Sequence, residues 1–218
     1  MDNTKKGDFV EIKFTGYSNG NVFDSNIEED LKKINSEAKP QKTIVVIGQR
    51  MVVSGLDIAL ESKEIGKEYE IKLSAKEGFG ERDRNLVKTI PLRVFSEKKI
   101  EPRAGMMLAL DDMLAKIITI SGARVVTDFN NPLAGKEIIY KFKIIRKVDD
   151  EREKSEALFL TMFKFLPEFE VKEEIVVKGV KELEIFVKTF SKKFKEIMNK
   201  ELKFELKEEE KVQEEKKE

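Results

Sequence analysis

The chain has no cysteine, no histidine and no tryptophan among its 218 residues, and only 5 prolines. Without cysteine there is no disulfide, no thiolate metal ligand and no cysteine nucleophile, and without histidine the commonest catalytic base and metal ligand is gone too. Serine–histidine hydrolysis and ordinary zinc chemistry are thereby excluded, and the remaining residues call for no metal and no cofactor. Neither sign of charge is in excess: Lys plus Arg and Asp plus Glu each number 42. That disfavours nucleic-acid binding through a large positive field. Long apolar runs are missing as well. The start, Met1-Asp2-Asn3-Thr4-Lys5-Lys6, is polar and lacks the apolar stretch of a secretory leader. A cytoplasmic protein with no membrane partner is the expectation. What is abundant is charge itself, 39% of residues and mostly Lys and Glu, a usage typical of hyperthermophile proteins.

Against that charged background several apolar patterns stand out. Val10, Ile12 and Phe14 alternate with Phe9, Glu11, Lys13 and Thr15, which predicts a strand with the first set on one sheet face. Gly16 is expected to end it, and Ser18-Asn19-Gly20-Asn21 supplies residues that tolerate positive φ in a tight turn. The chain resumes with the adjacent pair Phe23 and Asp24. Ile44 to Ile47 reads as a strand, Gly48 as a turn, and the stretch around Leu56 to Glu61 as a short amphipathic helix. Gly78-Phe79-Gly80 is a turn too short for a phosphate cradle, with no helix and lysine behind it.

Met106 to Leu110, Leu114 to Ile120 and Arg124 to Asp128 read as three short strands, divided by Asp111-Asp112 and Ser121-Gly122. From Asp149 the pattern changes. Leu158, Met162 and Leu166 form one helical stripe beside Phe159 and Phe163, which predicts a helix stopped at Pro167. Phe169 to Val177 and Glu184 to Val187 are expected as strands, Phe190, Phe194 and Met198 are helix-spaced, and Lys203 to Leu206 suit a last strand. Beyond Glu208 almost everything is Lys, Glu or Gln, a composition that buries too little apolar area to offset its ordering entropy.

Four blocks, VEIKFTGYSNGNVFDS, VVSGLDIALESKEIGKEYEIKL, EGFGERDRNLVKTIPLRVF and DFNNPLAGKEIIYKFKI, taken in this order and spacing, resemble successive segments of an FKBP-type peptidyl-prolyl cis-trans isomerase. The insertion between Gly80 and the Asn130–Gly135 block is similar to the insert-in-flap domain of the SlyD-like class, in its long archaeal form with an extra C-terminal domain. The resemblance covers about two thirds of the chain and stops near Lys147. It implies an α+β fold: an FKBP-like antiparallel sheet wrapped on a short helix, with an inserted small β domain and a C-terminal α+β domain. The corresponding domains would be residues 1–84 with 129–148, residues 85–128, and residues 149–218.

The activity implied is isomerisation of X-Pro bonds, combined with chaperone action on unfolded or nascent proline-containing polypeptides. Such a reaction needs no nucleophile, base or metal, because its barrier, about 18–20 kcal/mol, is lost amide resonance. The residues matching the family's pocket are Phe14, Phe23, Val52, Val53, Leu56, Phe79 and Tyr140, with Asp24 as a carboxylate at the buried edge and Leu56 as the floor. Asn131, Pro132 and Leu133 would lie in the loop above. Phe79 and Phe14 stand where the family often has tyrosines, and the hydrogen bond lost with each hydroxyl is worth roughly 0.5–1.5 kcal/mol. Within the insert, Met106, Met107, Leu108, Leu110, Met113 and Leu114 would bind polypeptide through adaptable apolar surface, with Met107 and Met113 exposed. Two further readings compete: a non-catalytic holdase with a degraded pocket, and a homodimer through the Phe-rich C-terminal domain, whose apolar surface is large for seventy residues.

Overall fold

The computed structural model describes residues 3–111 and 113–207; the tail beyond Glu208, for which fraying or disorder is expected, lies outside the described residues. Along the chain come β1 (Phe9–Ser18), β2 (Asn21–Ser25), α1 (Glu28–Ile34), β3 (Thr43–Val46), α2 (Ser54–Ala59) and β4 (Glu68–Leu73). A 3-10 turn (Arg84–Leu86) leads to β5 (Val87–Pro91), α3 (Leu92–Glu97), β6 (Met107–Leu110), β7 (Met113–Ser121) and β8 (Arg124–Asp128). Last are β9 (Ile138–Lys147), α4 (Glu151–Met162), β10 (Glu168–Val171), β11 (Ile175–Gly179), α5 (Leu183–Met198) and β12 (Leu202–Leu206). The chain divides into two compact units, one of residues 1–16, 22–71 and 140–218, the other of residues 17–21 and 72–139. No helix among the described residues is long and apolar enough to cross a membrane.

The main sheet has the order β2-β1-β9-β4, with β3 antiparallel to β1 on another path, so that Phe9 faces Val46 and Ile12 faces Thr43. Val10, Ile12 and Phe14 are buried as the alternation predicts. Two expectations for this strand fail. β1 does not end at Gly16 but continues to Ser18, and Phe9 and Thr15, on the opposite set, are buried too. Phe9 is covered because it joins Val46 and Val148 in the core of the C-terminal segment. The seven-residue α1 buries nothing; it is held by Lys32–Glu28 at 2.6 Å and Lys33–Asp30 at 2.5 Å, with acidic residues in its first turn and basic ones in its last, as the helix dipole favours.

In the C-terminal segment β10, β11 and β12 form a three-stranded sheet, β10 antiparallel and β12 parallel to β11. The parallel pair requires a crossover, which α5 supplies. Hence the stretch Glu184 to Val187, expected as a strand, is the first turn of α5: Val187 and Phe194 are its buried residues, with Leu183, Phe186 and Phe190 packed beside them. The single strand expected from Phe169 to Val177 is a hairpin, β10 and β11. Helix α4 stops at Met162 rather than at Pro167, since Phe163 caps it and Lys164 takes φ +67°. Phe159, Phe163, Phe169 and Phe194 are each 4% exposed or less and stack on one another, Phe159 meeting Phe169 and Phe194 at 4.9 Å. Much of the aromatic surface that motivates a dimer is therefore consumed internally. Charges join this segment to β1 and β9: Arg146 bonds Glu11 at 2.9 Å and Glu153 at 2.7 Å, and Lys42 bonds Glu153 at 2.8 Å.

In the second unit the sheet order is β5-β8-β7-β6, four strands where three are expected, because Val87–Pro91 pairs antiparallel with β8. Phe95 of α3 is fully buried against Leu110, Ala115, Ile117 and Val125.

Candidate active site

Three rings expected to line the pocket meet in the first unit. Phe14 contacts Tyr140 edge to face at 6.0 Å between centroids, and Phe23 contacts the same ring at 5.7 Å. Phe14 and Tyr140 are buried and Phe23 is half-buried. Gly16 makes this arrangement fit. A Cβ there would lie 2.6 Å from Phe23 Cζ and 2.9 Å from Tyr140 Cε1, inside van der Waals contact. The sequence marks Gly16 only as a strand end, whereas the structure makes it the floor on which two aromatic rings rest.

Asp24 follows Phe23 on β2. It is exposed and stands at the rim rather than on a buried edge. Crowding by protein nonetheless raises its carboxyl above the ordinary value, the Ser25 backbone N–H pulling the other way. Burial, reinforced by the charge of Asp24, pushes the Tyr140 phenol far up. Tyr140 is therefore a proton-bearing hydroxyl at any physiological pH, able to donate a hydrogen bond.

The end of β2 is clamped to β1 by side chains that the sequence reading passes over. Asn26 Oδ1 accepts from the Phe14 N–H at 2.8 Å, and Asn26 Nδ2 donates to the Ile12 carbonyl at 2.8 Å. Ser25 Oγ donates to the Phe14 carbonyl at 3.0 Å, and Thr15 Oγ1 bonds Asp30 at 2.7 Å. In the same unit, buried Asp57 accepts from the Gly48 and Arg50 N–H groups, both at 2.9 Å. It thereby fixes the turn before α2, where Val52 and Val53 are half-buried and Leu56 is 1% exposed.

The other expected residues belong to the second unit. Phe79 is half-buried in a turn closed by Gly80 N–H to Ala75 carbonyl at 2.7 Å, and Gly135 N–H donates to the Gly80 carbonyl at 2.8 Å. Pro132 is exposed and Leu133 half-buried, with the Leu133 N–H on Asn131 Oδ1 at 2.8 Å. Of the six insert residues, Met106, Met107, Met113 and Leu114 are exposed. Leu110 is buried and Leu108 packs on the same core, because on β6 they alternate inward while Met107 faces out. Leu110 is therefore a core residue rather than an exposed one. Ile118, at a register shift in β7, adds to the exposed apolar group. The two connections of this sheet are tied together where Asn130 bonds Asp128, Asp83 N–H and the Asp83 carbonyl, and Arg82 pairs with Asp128.

A family model described as FKBP-type peptidyl-prolyl cis-trans isomerase matches residues 2–99, and a model of the FKBP26 IF domain matches residues 88–133. The short-type peptidyl-prolyl cis-trans isomerase of Methanocaldococcus jannaschii is 33% identical over 143 residues, 64% of this chain and 91% of that protein. The FKBP-type peptidyl-prolyl cis-trans isomerase SlyD of Helicobacter pylori is 24% identical over 156 residues, covering 69% and 78%. SlyD of Haemophilus influenzae is 33% identical over 102 residues, covering 45% of this chain and 53% of that one.

Proposed function

The chain belongs to the FKBP-type peptidyl-prolyl cis-trans isomerase family, and from that premise we propose that it accelerates X-Pro rotation in unfolded or partly folded polypeptides and holds such chains on its insert. The observation that carries the reading is the ring group Phe14, Tyr140 and Phe23 with Asp24 at its rim. A twisted amide has less charge separation than a planar one. An apolar, water-poor wall therefore binds it better relative to the ground state, and only such differential binding raises the rate. The protonated Tyr140 hydroxyl offers a hydrogen bond to a substrate carbonyl, and Val52, Val53 and Leu56 extend the apolar wall. Asp24 is the charge at the entrance.

Chaperone action is assigned to the exposed apolar residues Met107, Leu114 and Ile118, with Met106 and Met113. Flexible methionine side chains suit varied partners, and a tethered second site raises local substrate concentration. Replacing Met107 and Leu114 together by serine tests this division of labour. Isomerisation of a short proline peptide is expected to keep its rate while refolding of a proline-limited protein slows. Equal loss in both assays, or none in either, contradicts it.

A further inference from the structure

Phe14 is a buried member of the ring group, and its backbone is held by the two residues that follow Asp24. Its N–H donates to Asn26 Oδ1 at 2.8 Å. Its carbonyl accepts from Ser25 Oγ at 3.0 Å and from the Asn26 N–H at 3.2 Å. Asn26 also donates through Nδ2 to the Ile12 carbonyl at 2.8 Å. A carboxamide carries one acceptor and donors on adjacent atoms, as a peptide group does. Asn26 thus continues the β ladder with its side chain after the main chain has turned away toward α1.

The geometry points to Asn26 as a positioning residue for catalysis, which rests on the isomerase reading above. Phe23 and Asp24, on β2, lie three and two positions before it, and Phe14 lies across from it on β1. One side chain therefore links the backbone beside the buried Phe14 ring to the end of the strand that carries Phe23 and Asp24. Aspartate supplies the acceptor for Phe14 but, when ionised, no donor for Ile12. Alanine supplies neither. Thr15 is the local contrast: its hydroxyl contacts Ser25 at 3.0 Å and Asp30 at 2.7 Å and ties the same segments together through side chains.

The test compares wild type, Asn26→Ala, Asn26→Asp and Thr15→Val by steady-state kinetics on a short X-Pro peptide, by melting temperature, and by NMR exchange of the Phe14 amide. Asn26→Ala is expected to lose kcat/KM roughly tenfold, the equivalent of about 1.4 kcal/mol, mostly in kcat, together with Phe14 amide protection. Asn26→Asp, which keeps the acceptor, falls between it and wild type. Thr15→Val is expected to melt lower yet keep its kcat. The inference is overturned if Asn26→Ala keeps wild-type kcat, or if Thr15→Val loses as much kcat at a matching drop in melting temperature. Absence of catalysis by wild type would defeat the functional reading instead. The clamp would then be judged on Phe14 amide protection and on the Phe14–Tyr140 ring contact in the variants, and unchanged values there would reject it.

Discussion

The ring of Phe23 meets that of Tyr140 edge to face with centroids 5.7 Å apart, and the missing side chain of Gly16 leaves the room for both. Quadrupolar attraction favours this geometry, worth about 0.5–1.5 kcal/mol beyond area burial. Gly16→Ala forces two rings off their positions. It is expected to cost roughly 1–3 kcal/mol in urea unfolding, the usual range for overpacking, and to slow peptide isomerisation. An unchanged midpoint with unchanged activity would show that the rings have other places to go.

Asp24 has a raised carboxyl pKa in the folded chain, so the native state holds its proton more tightly than the unfolded one. Its contribution to stability is present below the unfolded pKa and lost as pH rises through the folded pKa. Asp24→Asn has no such loss. The difference in unfolding free energy, variant minus wild type, is expected to grow from pH 3 to pH 7; a pH-independent difference would remove the crowding argument.

Asp128 behaves in the opposite sense. Burial by itself would raise its pKa, but hydrogen bonds from Asn130 and the Arg82 guanidinium outweigh that and hold the carboxyl below its usual range. This support is present above the unfolded pKa and fades as pH falls through the folded one. Asp128→Ala strands the buried Asn130 donors, at a cost of roughly 1–3 kcal/mol, and releases Arg82 to solvent. Amide protection in β5 and β8, taken relative to the intrinsic exchange rate at the same pH, is the readout: it is expected to fall in the variant at pH 7, and to fall in wild type on strong acidification.

The C-terminal segment gives a test of packing. Phe159 is 0% exposed and touches three other phenylalanines. Phe159→Ala is expected to cost about 3–5 kcal/mol, measured by thermal or denaturant unfolding, and to loosen Phe9 and Val46 of the shared core. A loss below about 1 kcal/mol would mean that this core adds little to the unit; large-to-small changes in tight cores seldom cost so little.

How much of this was legible in the sequence follows from which signals have a period. The alternation in β1 and the hairpin pattern of β6 to β8 are two-residue repeats, and both elements appear, although β1 runs past Gly16 to Ser18. Helix α1 has no apolar stripe, because it buries nothing and is held by its own ion pairs. At Ile185-Phe186-Val187 the apolar run looks like strand, but the spacing of Leu183, Val187, Phe190 and Phe194 along one face prevailed. The insert's fourth strand was hidden by Pro91, which sits at the last position of β5, where a missing N–H is tolerated. At the site, the rings and Asp24 were marked by the family resemblance. The Asn26 clamp was not, since a side chain replacing a strand across twelve positions leaves no periodic trace.

The most direct measurement is NMR exchange between the cis and trans forms of a short Phe-Pro peptide, with wild type, Asp24→Ala and Tyr140→Phe at equal concentration. Accelerated exchange in wild type that falls in both variants, each still showing the native spectrum, is the expected result. Well-folded wild type that leaves the exchange rate at its uncatalysed value would contradict the isomerase account and leave polypeptide holding as the function.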